Sequence, residues 1–400
     1  MEGRMPLPHV RDLSPAILAA LLASGLCACG GIGPAPQPPN AVYATTVSGR
    51  ILAFPVTHSG LQAAAGLGAP ASVAGPANSR GLAIAAISGT QYALYVSDPG
   101  ADAIRVYTIG DSSNQPAPAG IGPFPLGTGD GSPEVMTDGP FGVGNLYVAT
   151  SKGAIAGFGI GTDGTLTPVP GSPFTAGAGV SQMLETVSVA PPPKQNLCLF
   201  TSDHTDPNGG VSAFAVQGNG ALAPVTGSPF ATVADGGPTA LLSAVVNGAV
   251  SPVQILYAGL GNAGAIAAFT VAPDCSLTPL PGSPFPAGGG VVSLFAGYQM
   301  LFAGNGADGT VSSFTIDQSS GALTPTATAP LAGIAGSGNA LEVYGLVLLP
   351  NAQSDDIVGL QIGGSATNGA RVTTAPGSPF YAGSGTLATV LLVRPVVDPP

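Results

Sequence analysis

Leu166-Thr167-Pro168-Val169-Pro170-Gly171-Ser172-Pro173-Phe174 is the stretch that decides the fold. It returns as Leu222-Ala223-Pro224-Val225-Thr226-Gly227-Ser228-Pro229-Phe230, and again as Leu277-Thr278-Pro279-Leu280-Pro281-Gly282-Ser283-Pro284-Phe285. Fragments stand at Leu323-Thr324-Pro325 and at Pro376-Gly377-Ser378-Pro379-Phe380. The terminal residues Phe174, Phe230, Phe285 and Phe380 lie 56, 55 and 95 positions apart, the last interval being two shorter periods with a degenerate copy at Leu323 between them. A fixed period of about 50 residues means one supersecondary unit per repeat, each burying its faces against its neighbours.

A second element precedes each phrase, an apolar-aromatic pair followed by a Gly/Asn/Asp-rich turn. Its copies are Val42-Tyr43, Leu94-Tyr95, Leu146-Tyr147, Leu199-Phe200, Leu256-Tyr257, Leu301-Phe302 and, as a seventh, Ile357-Val358. Alternating strands follow, such as Val211-Ser212-Ala213-Phe214-Ala215-Val216. Seven units over 41–398 give about 51 residues each. Several short strands per unit at that period predict an all-β fold, a seven-bladed β-propeller of four-stranded blades. The Leu-Thr-Pro phrase is expected as the outermost strand, because Pro lacks an N–H and is tolerated at an edge, where it also blocks pairing with another chain. The first unit begins directly at Val42-Tyr43. The lone strand Thr386–Val393 is therefore expected to pair with residues 41–46 and close the ring.

Composition agrees. Of the 400 residues, 61 are Gly and 41 Pro, 45% are apolar and 7% charged, against about 25% charged in average soluble chains. Strands buried on both faces explain so little charge. The formal net charge of −11 excludes a nucleic-acid surface, which needs clustered Lys and Arg. The absence of Trp and the presence of only three His exclude a zinc-finger array.

Residues 1–29 read as a targeting segment. Arg4 and Arg11 precede the apolar run Pro15–Ala23, which is too short to span a bilayer. The stretch Leu26-Cys27-Ala28-Cys29 resembles a bacterial lipobox and implies lipid on Cys29. Residues 30–40 are then a Gly/Pro-rich tether. The expected location is outside the cytoplasm, anchored to the cell envelope by lipid alone, at the outer membrane or periplasm of a Gram-negative cell. The uncharged stretch 288–302 is expected as two buried strands around a Gly297-Tyr298-Gln299 turn. Cys198, inside Leu197-Cys198-Leu199-Phe200, is expected as a small buried hydrophobe, and Cys275 as a turn residue, without a bridge between them.

The repeated phrases together resemble the seven-bladed lactonase-type (YVTN-like) β-propeller family over essentially all of 41–398. That resemblance implies hydrolysis of sugar lactones such as 6-phosphogluconolactone, or a muconate-cyclising activity, with His, Glu and Arg on one propeller face. No catalytic motif of the family maps onto a position here. His58 is expected in a solvated turn. His204 lies in the polar loop Thr201–Gly210, flanked by Asp203 and Asp206, which reads first as a loop whose Asp and Asn satisfy turn geometry and second as a place where a His can be oriented as a general base. Asp98, Asp102 and Asp308 fall in equivalent turns, so the acids are expected along one rim, as turn formers more than as a Ca²⁺ site. The cations are scattered along the sequence, although Arg50 and Lys152 fall in equivalent turns. No cofactor or metal is expected. The reading is a monomeric, envelope-anchored binding or scaffold module for an unknown small molecule, glycan or protein. Alternatives are a lactonase-like hydrolase and a structural or adhesive surface protein.

Overall fold

The computed structural model describes residues 41–393 apart from 60–62, 88–90, 111–113, 130–132, 138–143, 190–194, 206–208, 234–235, 249–250, 331–339, 344–345, 352–353, 364–370 and 382–386. Cys29, the segments 1–29 and 30–40, and Asp206 lie outside these residues.

Seven antiparallel sheets form seven blades. Blade 3 sets the pattern, with strands Pro133–Thr137, Asn145–Thr150, Ala154–Ile160 and Leu166–Pro168 running from the axis outward. Blade 2 comprises Leu82–Ala86, Tyr92–Asp98, Ala103–Ile109 and Ala117–Pro118. Blade 4 comprises Val180–Val187, Leu197–Asp203, Gly210–Val216 and Leu222–Pro224. Blade 5 comprises Pro238–Val246, Val253–Leu260, Ala265–Val271 and Leu277–Pro279. Blade 6 comprises Val291–Gly297, Met300–Asn305, Thr310–Ile316 and Leu323–Pro330. Blade 7 comprises Leu341–Val343, Leu346–Asn351, Asp356–Gly363 and Arg371–Thr374. Blade 1 combines Ala41–Thr46, Arg50–Ser59 and Ala63–Leu67 with an innermost strand from the far end of the chain, Leu387–Val393, which pairs Val42 with Val393 and Tyr43 with Leu392. The ring closes as its two unpaired strands predict.

The recurrent phrase forms the outer edge and then folds back. In blade 3, Leu166–Pro168 pairs with Phe158–Ile160, the chain turns at Gly171 (φ +85°), and Phe174–Thr175 pairs again with Ala154–Ile155. Between these two ladders the third strand would leave one amide without a partner. The serine of Gly-Ser-Pro-Phe fills that gap, because Ser172 Oγ accepts from the Gly157 amide at 2.9 Å. Ser228, Ser283 and Ser378 accept from Ala213, Ala268 and Gly359 in the same way, each at 2.9 Å. Each of these serines precedes a cis proline. Blade 6 lacks Gly-Ser-Pro-Phe, and its outer strand runs on as Leu323–Pro330 with one register shift opposite Ser313 and Phe314.

Alternate residues of each second strand face opposite neighbours. Leu94 packs with blade 1 and Tyr95 with blade 3. The buried apolar residues accordingly fall into seven clusters, each joining two consecutive blades around the ring. A fully buried Leu or Phe contributes about 1.5–3 kcal/mol, so every blade depends on both of its neighbours.

Three expectations need correction. The second strand of blade 7 is Leu346–Asn351, so the counterpart of Leu301-Phe302 is Val347-Leu348 and not Ile357-Val358, which lies in the third strand. An aliphatic residue holds the aromatic's place there, and the pattern slips one strand onward. His58 belongs to the third strand of blade 1, opposite Ala64, rather than to a turn. Cys198 and Cys275 are joined by a disulfide, with Cα atoms 5.6 Å apart.

Candidate functional site

The turns linking second to third strands and the connectors entering each innermost strand share one end of the ring. The register shows this in blade 4, where Val180, the first residue of the innermost strand, lies opposite Asp203, the last of the second. Asp98, Asp102, Asp203, His204 and Asp308 all stand at this end, as do Asn305 and Asn351.

The fold does not gather these acids into one cluster. Asp98 ends the second strand of blade 2 and accepts from Arg105 Nε at 2.6 Å. Asp102, in the next turn, holds the outgoing connector through Thr128 Oγ1 at 2.8 Å and the Gly129 amide at 3.0 Å. Asp308 in blade 6 instead holds the incoming connector, accepting from the Gly289 amide at 2.8 Å, and accepts from Thr310 Oγ1 of its own blade at 3.0 Å. Asp203 is fully buried and accepts from Thr201 Oγ1 at 2.7 Å and Ser212 Oγ at 2.6 Å. Its carboxylate is thereby spent inside blade 4. His204 is tied by its backbone amide to the Gly179 carbonyl at 3.0 Å. Its Nδ1 is buried beside Gly237, with no hydrogen-bond partner among the described residues. No group of three or more His, Cys, Asp or Glu suited to a metal occurs among the described residues.

Sequence reading put Arg50 and Lys152 in equivalent turns but took the cations as scattered, and missed that Arg80 and Arg105 join them at this end. Arg50 opens the third strand of blade 1, Arg80 precedes the innermost strand of blade 2, Arg105 lies in its third strand, and Lys152 lies in the corresponding turn of blade 3. These residues are separated by tens of positions in the chain, yet all reach the same end on three consecutive blades. Arg371 starts the outer strand of blade 7 opposite Gly363, at the other end. The signal that could have found them is the repeat register, which already aligned Arg50 with Lys152.

Between blades 1 and 2 this end holds an open cleft of about 390 Å³ lined by Ala74, Gly75, Pro76, Ala77, Asp98, Arg105 and Tyr107. One wall is fixed backbone, since the Gly75 amide donates to the Gly49 carbonyl at 2.9 Å and the Asn78 amide to that of Val47 at 3.1 Å. Tyr107 Oη donates to the Ala74 carbonyl at 3.2 Å and joins the two walls. Burial, reinforced by the nearby Asp98 carboxylate and opposed by Arg105, raises the Tyr107 phenol, so it stays neutral. The Arg105 side chain is 49% exposed and that of Asp98 only 10%, so the acid sits behind the guanidinium and orients it.

No family model and no curated protein sequence matches the chain. Solved structures do. A candidate 6-phosphogluconolactonase from Bacteroides fragilis is 18% identical with a TM-score of 0.64, and covers 90% of this chain and 100% of its own. A protein from Lactobacillus plantarum is 14% identical at a TM-score of 0.62, over 89% of this chain and 99% of its own. The periplasmic gluconolactonase of Pseudomonas aeruginosa is 16% identical at 0.59, over 90% and 99%. Identities this low speak for the fold alone. The repeat, the seven interlocked blades and these likenesses together identify the chain as a seven-bladed β-propeller with the lactonase-type fold.

Proposed function

We propose that the chain is an exported, envelope-anchored propeller that binds a small ligand at the end carrying its second-to-third-strand turns. The observation that carries this reading is the placement of Arg50, Arg80, Arg105 and Lys152. In a chain of net charge −11, the fold sets these four cations at one end on three adjacent blades, where Asp98 and Asp102 are the carboxylates described among them. A local field of this kind concentrates a ligand of opposite sign. Export is supported by the Cys198–Cys275 disulfide, since such bridges persist mainly outside the reducing cytosol. Lipid on Cys29 would supply the only membrane contact, and nucleic acid is not among the partners. Hydrogen exchange of the intact protein, with and without a panel of sugar acids and other organic acids, tests the reading. Protection centred on 74–81, 98–105 and 150–154 is expected. Protection confined to the opposite end contradicts it.

The likeness in fold to the Pseudomonas gluconolactonase over 90% of the chain favours a second reading, a lactone hydrolase. In that reading His204 is the base, and its substitution by alanine abolishes turnover of a neutral lactone.

A further inference from the structure

The cleft between blades 1 and 2 has the chemistry of a site in its own right. Arg105 lines the cleft and is held at Nε by Asp98, at 2.6 Å, which leaves the terminal nitrogens of its half-exposed side chain outside that bond. An arginine fixed from behind by a buried acid loses little freedom when it takes a planar anion in front. The remaining lining is apolar or neutral: Ala74, Pro76, Ala77 and the Tyr107 ring. The volume, about 390 Å³, lies within the range of small-ligand sites.

We propose that this cleft binds a small monocarboxylate, its carboxylate on the Arg105 fork and its body against Tyr107 and the Ala74–Ala77 wall. A phosphate dianion fits less well. It calls for several converging cations, whereas here one guanidinium is already half neutralised by Asp98. A neutral ligand leaves the fork unpaired. The inference rests on the binding-module reading and names the ligand class and the residues for it.

Two kinds of molecule carry this group, aliphatic acids and sugar acids. Calorimetric titration of the intact protein with cyclohexanecarboxylate and with D-glucuronate separates them. Cyclohexanecarboxamide, D-glucose and glucose 6-phosphate serve as controls. At least one acid is expected to bind ten times more tightly than its uncharged counterpart and than the phosphate. Arg105→Gln should weaken that binding at least tenfold, and Arg105→Lys, which keeps the charge but not the fork, by less. The double variant Asp98→Asn with Arg105→Gln leaves no buried acid unpaired and serves if the single variant misfolds. It too must lose at least tenfold. Acid binding that survives both substitutions places the ligand elsewhere and overturns this site while leaving the module reading intact. Binding of no acid, together with turnover of a lactone, overturns both.

Discussion

Tyr147 in the second strand of blade 3 donates its phenolic hydrogen to the carbonyl of Gly220 in blade 4, at 2.8 Å and 73 positions along the chain. The same bond links Tyr95 to Gly164 at 3.2 Å and Tyr257 to Gly321 at 2.7 Å, each time from one blade to the next. Residues two positions before these tyrosines lie beneath the glycines: a Cβ on Gly220 would run into Asn145 Oδ1, and one on Gly321 would meet Ile255 Cγ1 at 2.6 Å. The junction of blades 4 and 5 departs from the pattern twice. Its aromatic is Phe200, which has no hydroxyl, and the glycine position of blade 5 is Cys275, at φ +68°. Cys198 stands two positions before Phe200 and is disulfide-bonded to Cys275. A covalent staple replaces the hydrogen bond at that one junction.

Removal of a hydroxyl staple should weaken the whole ring. Tyr147→Phe keeps the packing and leaves the buried Gly220 carbonyl without this donor. A loss of about 1–3 kcal/mol in unfolding free energy is expected from denaturant titration, with the same slope. Tyr257→Phe should behave alike. Burial pushes both phenols well above their ordinary value, so neither staple titrates at usable pH.

Replacement of the covalent staple by the residue pair of the blade 3–4 junction, Asn145 with Gly220, as Cys198→Asn with Cys275→Gly, removes a cross-link spanning 77 residues. On the chain-entropy model that link is worth about 4.5 kcal/mol. The variant should still fold and should melt well below the parent under non-reducing conditions. In the presence of reductant the two should converge. Equal melting without reductant contradicts the staple's role.

The legibility of this junction in the sequence was partial. Asp163-Gly164-Thr165-Leu166, Asn219-Gly220-Ala221-Leu222 and Asp274-Cys275-Ser276-Leu277 align by the Leu-Thr-Pro phrase, so the glycine position of Cys275 was there to be read. That Cys198 lies beneath it depends on how adjacent blades overlap, which no single repeat encodes. The ring, its blade count and its closing strand were legible because hydrophobic alternation and turn chemistry are local. Asp98, Asp102, Asp203 and Asp308 stand at one end as the repeat register implied, Asp206 lying outside the described residues, but their engagement with Thr128, Thr201, Ser212 and Thr310 was not foreseen. The Arg105 cleft was missed because its walls come from different repeats. The seventh pair was misplaced because Leu348 carries no aromatic ring to mark the strand.

The Ser172 family of contacts predicts a different kind of loss. Ser228→Ala removes the acceptor for the Ala213 amide inside blade 4 and leaves a buried donor unsatisfied, at about 1–3 kcal/mol. Ser228→Thr retains the oxygen and should recover part of it. Hydrogen exchange should show Ala213 and its neighbours opening first.

Acid should loosen the turns between third and outer strands. Ser319 and Ser320, through hydroxyls and amides, lower the Asp317 carboxyl to about 2, and Ser276 and Thr165 lower Asp274 and Asp163 in the equivalent turns. A carboxyl depressed in the folded state stabilises it above the ordinary carboxylate range, and that contribution is lost as pH falls from about 4 towards 2. Carbon-detected titration of Asp317 should give a midpoint near that low value. A midpoint near 4 contradicts the turn contacts.

The reading proposed above is that this end of the propeller binds a ligand without converting one. A lactone hydrolase would need a base beside the reacting carbonyl; the acids described here are engaged by Arg105, Thr128, Ser212 and Gly289, which leaves His204 as the candidate of that second reading. Progress curves for gluconolactone and 6-phosphogluconolactone, with purified protein and with buffer alone, test it most directly. The account predicts superimposable curves for both substrates. Turnover at a kcat/KM of about 10⁴ M⁻¹s⁻¹ or more, in the ordinary range of enzymes, contradicts it.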